Sequence, residues 1–389
     1  MNSYREWLDP FFLEDFLNED EKAIRDSTKK FVQKNLLPIV VENNRNHFFD
    51  KEMYKEFGAM GFLGSTVKGY GSIEVNKVSS GLIAFEIESI DSSYRSAVSV
   101  QSSLVCYPIE SFGSEDQKNL YLPGLIRGDI IGCFGLTESE AGSDPSSMKT
   151  TFVEKKDHYI LNGSKNWITN APIADIFLIW ALNENKEIKL FLIPKKTKGL
   201  STSKIENKTS LKISTTGQII LDNIKISKEN ILPNTQGWKS VFSCLNNARY
   251  GIAWGVLGAA QNAWLISKDY TENRIMFKKP LAANQLIQKK LAIMQTNISM
   301  GLSSCLHTGR AMDLGRDVKI AISLLKRNNC KKAIEIVREA RDMMGANGLL
   351  EDYHVMRHLV NLETVKTYEG TEDIHALILG KFLTKIDSF

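Results

Sequence analysis

The sequence predicts an α+β protein with a helical domain first, a small antiparallel β-domain in the middle and a C-terminal four-helix bundle. Three observations predict this order. Apolar residues recur at helical spacing up to about residue 127, short β-branched and aromatic runs follow, and helical spacing returns after residue 238. The chain has 389 residues, enough for two or three domains with a large core. We therefore predict domains at 1–128, 129–238 and 239–389.

The N-terminal domain reads as a series of amphipathic helices. Ile83, Ile87 and Ile90 lie at the spacing that places side chains on one helical face. Ser114 is followed three residues later by Gln117, which is the pattern of a capping box. A helix is therefore expected to begin just after Ser114.

The middle segment consists of short runs that are rich in β-branched and aromatic residues. They read "HYILNGSKNWITN", "IFLIWALN", "IKLFLIP" and "GQIILDNIKI", and Asn, Gly and Lys turns separate them. This pattern predicts a β-domain. The helical spacing that follows is long enough for a four-helix bundle.

Composition and charge exclude several classes of protein. The chain is 43% hydrophobic and 24% charged, and its net charge of +4 is too small to indicate a nucleic-acid-binding protein. We expect the basic segments 194–199 and 326–332 to be solvated faces. No apolar run is long enough to span a bilayer, and the acidic N-terminus does not resemble an export or import signal.

Cysteine and histidine spacing predicts no disulfide framework and no metal site. Five cysteines are scattered without a CxxC pair, which is typical of reduced thiols in a cytosolic compartment. His354 and His358 have the spacing of a metal-binding helix face, but the segment "HVMRH" lacks the Glu of a zinc protease.

Two segments have the composition of a cofactor site. The stretch "GCFGLTESEAGSDPSS" (132–147) can present backbone N–H groups and hydroxyls to a polar ring edge or a phosphate, or it can be a surface loop. Trp167 in "NWITN" can pack on an aromatic cofactor or belong to the core. No GxGxxG follows a strand and no P-loop spacing occurs, so we do not expect Rossmann-type dinucleotide binding.

The C-terminal segment "KTYEGTEDIHALILG" combines a short polar turn with an apolar helix. Thr371 can cap that helix, and Glu372 and Asp373 suit its positive end. Glu369 lies two residues before the cap, and helix formation does not account for it. From the residues alone it is either a solvated turn residue or a catalytic base.

Five motifs resemble those of the acyl-CoA dehydrogenase family, in order and across nearly the whole chain. They are "FGLTES…GSD", "WITN", "RIMFKKPL", "ARDMMGANG" and "TYEGTEDIHALILG". Within that family, "SSYRSAVSVQSSL", "CLNNARYGIAWGVLGA", "NQLIQKKLA" and "SLLKRNNC" are similar to the decarboxylating glutaryl-CoA dehydrogenases. The resemblance implies FAD as cofactor, an electron-transfer flavoprotein as partner and a homotetramer that shares FAD across a dimer interface.

The resemblance also implies which residues contact FAD. Those expected around the flavin are Phe134, Leu136, Thr137, Ser143, Trp167, Ile168, Thr169, Thr371 and Asp373. Those expected to hold the diphosphate and adenosine of a neighbouring subunit's FAD are Arg274, Phe277, Gln285, Asp342, Gly345 and Ala346. The chain has Lys278 where the family usually has Gly, and Ala346 where it often has a second Gly, which affects the local backbone fit.

For the reaction, the resemblance assigns Glu369 as the base that removes the α-proton of the thioester. Burial would raise its pKa, and its own N–H, with a ribityl hydroxyl of FAD, would bind the thioester oxygen. Arg95 with Ser96 would bind a distal carboxylate, because a guanidinium fits a carboxylate well. A fatty-acyl chain would leave a buried Arg without a partner. The alternative for Arg95 is a surface ion pair with Glu88. Other residues implied to line the substrate site are Glu88, Ser143, Asn246, Arg249, Tyr368 and Gly370.

The expected reaction is the conversion of glutaryl-CoA to crotonyl-CoA and CO2, in lysine and tryptophan degradation or in benzoate breakdown. Alternatives are an enzyme that stops at glutaconyl-CoA, a short- or branched-chain acyl-CoA dehydrogenase, and a non-catalytic scaffold of the same fold. We expect a bacterial cytoplasmic enzyme, or a mitochondrial matrix enzyme if the chain is a processed eukaryotic one.

Overall fold

The structure is a computed structural model that describes residues 9–387, and its first part is helical. The helices there are α1 (Glu19–Phe31), α2 (Val40–Asn46), α3 (Met53–Ala59), α4 (Lys77–Glu88), α5 (Ser92–Ser99), α6 (Tyr107–Phe112) and α7 (Glu115–Arg127), with π-helical turns at Val32–Leu36 and Val100–Cys106. The capping box predicted at Ser114 and Gln117 is confirmed, since each side chain bonds the other's backbone N–H. Ile83, Ile87 and Ile90 are buried in one cluster, as predicted.

The middle part is a seven-stranded sheet. Its strands are β1 (Gly132–Gly135), β2 (Thr151–Glu154), β3 (His158–Thr169), β4 (Ile176–Leu182), β5 (Ile188–Pro194), β6 (Leu200–Lys204) and β7 (Thr216–Ser227), in the order β1-β4-β2-β3-β7-β6, with β5 paired to β4. We predicted an antiparallel sheet, but β1 and one residue of β2 pair parallel with β4. The alternation of apolar and polar residues within a strand does not determine whether it pairs parallel or antiparallel with its neighbour. β1 enters from α7 and leaves through a long loop rather than a hairpin turn.

The C-terminal part is again helical, and its core continues into the N-terminal part. It contains α8 (Trp238–Asn273), the hairpin β8 (Ile275–Met276) and β9 (Lys279–Pro280), α9 (Gln285–Asp313), α10 (Lys319–Met343), α11 (Val355–Thr367) and α12 (Glu372–Thr384). α8 packs closely on α4: a Cβ at Gly258 would lie 2.0 Å from the carbonyl oxygen of Phe85. This close approach joins the first and third parts into one core.

The two basic segments that we predicted to be solvated differ in their exposure to solvent. Segment 194–199 follows β5 and is largely exposed, as predicted. For 326–332 the prediction of a solvated face is wrong, because Lys326, Asn329 and Cys330 are buried. They lie on the side of α10 that packs against the other helices, where a lysine is placed only if its ammonium finds acceptors.

Within the described range 9–387, no helix is long and apolar enough to cross a membrane. The same residues contain no group of three or more His, Cys, Asp or Glu side chains that could hold a metal ion. All five cysteines are free and buried, which agrees with the expectation of reduced thiols.

Asp91 connects the corner between α4 and α5 to α11. It is fully buried, and its Oδ1 caps α5 by accepting the N–H of Ser93 at 2.8 Å. Its Oδ2 accepts hydrogen bonds from Nε of Arg357 and Nδ2 of Asn361, both at 2.9 Å. Nη2 of Arg357 also donates to the carbonyl of Ile90 at 2.8 Å. The network fixes α5 against the helix that leads to Glu369.

We predict that Asp91→Ala lowers the free energy of unfolding by about 3–5 kcal/mol, because it leaves the guanidinium of Arg357 buried without a carboxylate. Thermal unfolding followed by circular dichroism measures this. The matched control is Glu52→Ala, which removes an exposed pair with Lys55 and should leave the melting temperature nearly unchanged. Equal effects of the two substitutions would contradict the role assigned to Asp91.

Candidate active site

A cavity lies between α4, α5 and α8. Its wall includes Lys77 and Ser80 from α4, Arg95 from α5, and Asn247 and Gly251 from α8. The cavity is therefore lined by two cationic side chains and several polar ones. These groups can bind an anionic ligand, whereas an uncharged hydrocarbon chain offers them no charge to bind.

Arg95 is almost fully buried in this wall, with 1% of its surface exposed. Its Nε donates to Oε2 of Glu88 at 2.5 Å, and its Nη2 donates to the hydroxyl of Tyr368. The sequence alternative of a surface ion pair is wrong in its location: the pair with Glu88 exists, but it is buried and joins α4 to α5. Burial acts to lower the pKa of Arg95, but Glu88 and Tyr368 outweigh it and hold the pKa above its ordinary value.

The guanidinium of Arg95 keeps free donors. Among the described residues, none accepts a hydrogen bond from Nη1. A guanidinium has five N–H donors in a planar fork. The side chain thus retains the geometry for a further oxygen ligand.

Tyr368, Glu369 and Gly370 form the turn between α11 and α12, which we call the catalytic turn. Glu369 has φ 53° and Gly370 has φ 94°, so two consecutive residues are left-handed. A Cβ at Gly370 would lie 2.9 Å from Nε2 of His375 and 3.2 Å from Nη2 of Arg249, so a larger residue would have to displace these side chains and adopt a strained φ. Arg249 donates from Nε to the carbonyl of Glu369 at 2.7 Å.

Within residues 9–387, no group donates a hydrogen bond to the carboxylate of Glu369. Its Oε2 is buried and unpaired. Burial raises the pKa of Glu369, while the charges of Arg95, Arg249 and Lys326 oppose that rise. None of the described residues accepts a hydrogen bond from its N–H. A half-buried carboxylate with an unpaired, buried Oε2 next to a free N–H has the properties of a general base with an adjacent oxyanion donor.

The predicted helix start after this turn is confirmed. Thr371 caps α12 by accepting the N–H of Ile374 at 3.2 Å, and Asp373 is exposed in the first turn. The structure also places Ser96 in the buried part of α5, and it places Asn246 beside Arg249, whose Nη1 donates to its Oδ1 at 3.0 Å. Asn246 therefore adjoins the catalytic turn through Arg249. Ser96 lies on α5, the helix that carries Arg95.

The loop after β1 and the end of β3 lie side by side. The N–H of Asn166 donates to the carbonyl of Thr137 at 2.9 Å, and Nζ of Lys165 donates to that of Leu136 at 3.0 Å. The core alternative for Trp167 is wrong, since its side chain is 58% exposed at φ 60°. An exposed indole beside loop hydroxyls and backbone groups suits a flat ring such as the flavin of FAD.

The other residues predicted around the flavin have mixed exposure. Ser143 is exposed in the loop, Thr169 is half-buried, and the buried ones are Phe134, Leu136 and Ile168. The buried side chains lie beneath the proposed flavin site, so only their backbone groups or edges can face a flavin ring.

A buried ion pair that the sequence did not reveal holds the loop after β1 against β3. Glu138 accepts hydrogen bonds from Nζ of Lys165 at 2.9 Å and from the N–H groups of Lys149 and Thr150 at 2.6 and 3.0 Å. Burial lowers the pKa of Lys165 to about 8 in spite of the neighbouring carboxylate. The sequence signal that could have revealed this pair is Lys165, which lies at an inward-facing position of β3, a strand with alternating burial.

The remaining predicted cofactor residues form a second, exposed cluster at one end of the bundle. Lys290, near the start of α9, donates to Asp342 at the end of α10 at 2.7 Å. The cluster comprises Arg274, Phe277, Gln285, Asp342, Gly345 and Ala346. Phe277 is 93% exposed at the tip of the β8–β9 hairpin. No hydrogen bond among residues 9–387 joins this cluster directly to the catalytic turn.

Sequence reasoning missed two buried basic residues beside the catalytic turn. Lys326 donates hydrogen bonds to three carbonyls at and just before this turn. Its burial was not apparent because other basic residues surround it in the sequence. His375 is buried on α12, and burial lowers its pKa to about 3, so it adds no charge to the site.

Three family models match the chain in succession. They are the acyl-CoA dehydrogenase N-terminal domain over 18–129, the middle domain over 133–224 and the C-terminal domain over 235–384. The chain therefore belongs to the acyl-CoA dehydrogenase family, which establishes the predicted fold class.

Among curated relatives, an acyl-CoA dehydrogenase of Bacillus subtilis is 33% identical over 94% of this chain and 98% of its own length. The human mitochondrial short-chain specific acyl-CoA dehydrogenase is 32% identical over 95% and 91%.

Two solved structures are also similar. A glutaryl-CoA dehydrogenase from Mycobacterium smegmatis in complex with FADH2 is 42% identical with a TM-score of 0.96, covering 97% of this chain and 98% of that one. A chain solved in work on the electron transferring flavoprotein of Acidaminococcus fermentans is 31% identical with a TM-score of 0.91, covering 95% and 99%. Members of the family use FAD, and FAD is the cofactor of this protein.

We predict that Glu369→Gln raises stability at high pH. The folded pKa of Glu369 lies above its unfolded value, so the folded state binds more protons between the two, and stability falls as pH rises through that window. Glutamine does not ionise, and the gain is about 1.4 kcal/mol for each pKa unit. Melting temperatures at pH 4 and pH 8, at equal FAD loading, measure it.

The control for this experiment is Glu372→Gln, three residues away. Burial acts to raise the pKa of Glu372, but Lys366, Lys331 and Arg327 hold it below the ordinary value, so its loss should lower stability at pH 8. A loss of stability in both variants at pH 8 would contradict the unpaired state of the Glu369 carboxylate.

Proposed function

We propose that this protein oxidises glutaryl-CoA with FAD and releases crotonyl-CoA and CO2. The observation that carries the proposal is the buried Arg95 in the cavity wall, hydrogen-bonded to the residue that precedes Glu369. An anion-binding group in the cavity wall is thereby joined by a hydrogen bond to the turn that carries the candidate base. A short dicarboxylic acyl-CoA has the matching chemistry, a thioester at one end and a carboxylate at the other.

The charge of the cavity wall supports an anionic acyl group. Glu88 balances Arg95, and Lys77 remains as a second cation lining the same cavity. Burial lowers the pKa of Lys77, so an anion nearby would favour its charged form. A carboxylate that enters the cavity can thus pair with Lys77 or Arg95, in competition with Asp313 and Glu110 near Lys77 and with Glu88 beside Arg95.

The first step is the removal of a proton and a hydride. FAD, when bound, accepts the hydride from the β-carbon, which no side chain can do. Glu369 takes the α-proton, and its N–H binds the thioester oxygen as negative charge develops there. The residues that would hold the cofactor are those around Thr137 and Trp167, with Thr371 beside the base.

The second step is the loss of CO2 from the enoyl product. In glutaconyl-CoA the distal carboxylate is attached to the γ-carbon, which is allylic to the double bond that is conjugated with the thioester. The C–C bond electrons can therefore pass to the thioester oxygen as CO2 departs. Protonated Glu369 then returns its proton to the γ-carbon, which gives crotonyl-CoA. Arg95 and Tyr368 hold the carboxylate until the bond breaks, and burial of the ion pair excludes water.

We further propose an electron-transfer flavoprotein as the oxidant, a homotetramer that shares FAD, and the predicted domain bounds and compartment. The exposure of Phe277 and its neighbours supports the tetramer, since a large apolar surface of this kind marks an interface. The similar chain from the work on the electron transferring flavoprotein supports the electron acceptor.

The reaction is tested by anaerobic incubation of the holoenzyme with glutaryl-CoA and an electron acceptor. We expect flavin reduction followed by crotonyl-CoA and CO2 in equal amounts. Glu369→Gln should bind FAD but reduce it at least 1,000-fold more slowly, on the order expected when a general base is lost. Accumulation of glutaconyl-CoA, or rapid reduction by the variant, would overturn the decarboxylation or the base assignment respectively.

Substrate choice is tested by Arg95→Gln. We expect kcat/KM for glutaryl-CoA to fall by about 100-fold or more, as for the loss of one partner of a buried charged hydrogen bond. The value for butyryl-CoA should change by less than about tenfold. Because the single variant leaves Glu88 buried alone, the double variant Arg95→Gln with Glu88→Gln serves as the matched control. Equal losses with both substrates in that control would make Arg95 structural.

A further inference from the structure

Lys326 lies directly beneath the catalytic turn. Its side chain is fully buried on α10, and Nζ donates hydrogen bonds to the carbonyl oxygens of Lys366, Tyr368 and Gly370 at 3.1, 2.9 and 2.6 Å. An ammonium has three donors, and these three carbonyls use all of them.

This ammonium has no carboxylate partner. Among residues 9–387, no Asp or Glu lies within salt-bridge distance of Lys326. A buried cation is costly unless dipoles replace its hydration shell. The three carbonyls supply those dipoles, so the position of the lysine and the shape of the turn depend on each other.

The shape of the turn follows from this convergence. The carbonyls of residues 366, 368 and 370 point at one atom, while the intervening carbonyl of Glu369 accepts a hydrogen bond from Arg249. Two successive left-handed residues, Glu369 and Gly370, allow the chain to do this. Such a conformation costs about 1 kcal/mol or more at a non-glycine residue and persists only where the surroundings over-determine it. With its carbonyls so engaged, the turn leaves the N–H and the carboxylate of Glu369 unpaired.

We propose that Lys326 is a positioning residue for the oxidation: it gathers two carbonyls of the catalytic turn and that of Lys366 at the end of α11, and so orients the carboxylate and the N–H of Glu369 for reaction. This inference rests on the proposed function, in which Glu369 is the base. Lys326 acts through the turn and does not itself touch the substrate.

The charge of Lys326 has a second effect that can be measured separately. It opposes the rise that burial causes in the pKa of Glu369. Without it, the base would ionise at higher pH. A structural lysine far from Glu369 would not produce such a change.

The chain offers a matched control in Lys208. Its Nζ also donates to three acceptors, the carbonyls of Leu211 and Ser214 and the hydroxyl of Thr216, at 3.0, 2.6 and 2.7 Å. Burial lowers its pKa to about 8. It lies in the loop between β6 and β7, and among residues 9–387 none of its hydrogen bonds goes to the catalytic turn. Lys208→Met removes a comparable set of bonds without the proposed effect on Glu369.

The experiment compares Lys326→Met, Lys326→Arg and Lys208→Met as FAD-loaded enzymes. For Lys326→Met we expect kcat to fall by about 10- to 100-fold, as when a reacting group is slightly misplaced, with a smaller change in KM. The alkaline shift of the pH profile and faster hydrogen exchange at amides 366–370 should accompany it. Lys326→Arg keeps the charge, so its pH profile should return towards that of the wild type. Lys208→Met should lower the melting temperature but leave the pH profile and kcat unchanged.

The outcomes separate this inference from the proposed function. If Glu369→Gln still reduces flavin rapidly, the base assignment is wrong and the role of Lys326 is overturned with it. If Glu369→Gln is inactive while Lys326→Met keeps the wild-type kcat, pH profile and exchange rates, the positioning role alone is overturned. If the Met variant does not fold, Lys326→Gln, which keeps two N–H donors, is judged by the same three measurements.

Discussion

The site depends on one constraint: a carboxylate must be partly buried and yet accept no hydrogen bond from the described residues around it. Three cations lie near enough to Glu369 to influence its pKa, and each is occupied elsewhere. Arg95 binds Glu88 and Tyr368, Arg249 binds the carbonyl of Glu369, and Lys326 binds three other carbonyls. The surroundings therefore hold the backbone and leave the carboxylate available as a base. A direct ion pair would have stabilised its charge and weakened it as a base.

The rest of the fold keeps this arrangement rigid. Asp91 fixes α5 to α11, so the helix that bears Arg95 and the helix that leads to the catalytic turn move together. Glu138 and Lys165 do the same for the loop after β1 and the end of β3. Both networks are buried and bridge separate elements, and both lie next to the site. Rigid support of this kind is what preorganised electrostatics requires.

Much of this architecture was readable from local patterns. The capping box at Ser114 and the cap at Thr371 depend only on residues three apart, and the structure contains both. The exclusion of Rossmann-type binding rested on absent glycines, whereas the candidate base rested on a residue that helix formation did not explain. The parallel β1–β4 pair and the burial of Lys326 depend on residues distant in sequence, so no local pattern could indicate them. Family resemblance, rather than physics, selected Glu369 and Arg95 from other polar residues.

The buried pair of Glu88 and Arg95 has an evolutionary consequence. A Cβ at position 255 would lie 2.1 Å from Oε2 of Glu88, so the glycine of α8 makes room for the pair. A lineage that moved towards uncharged acyl chains would have to lose both charges, since either one alone would be stranded in the interior. Only afterwards could position 255 accept a larger side chain that fills the vacated space. The three positions should therefore change in a fixed order, and intermediate sequences should be the least stable of the series.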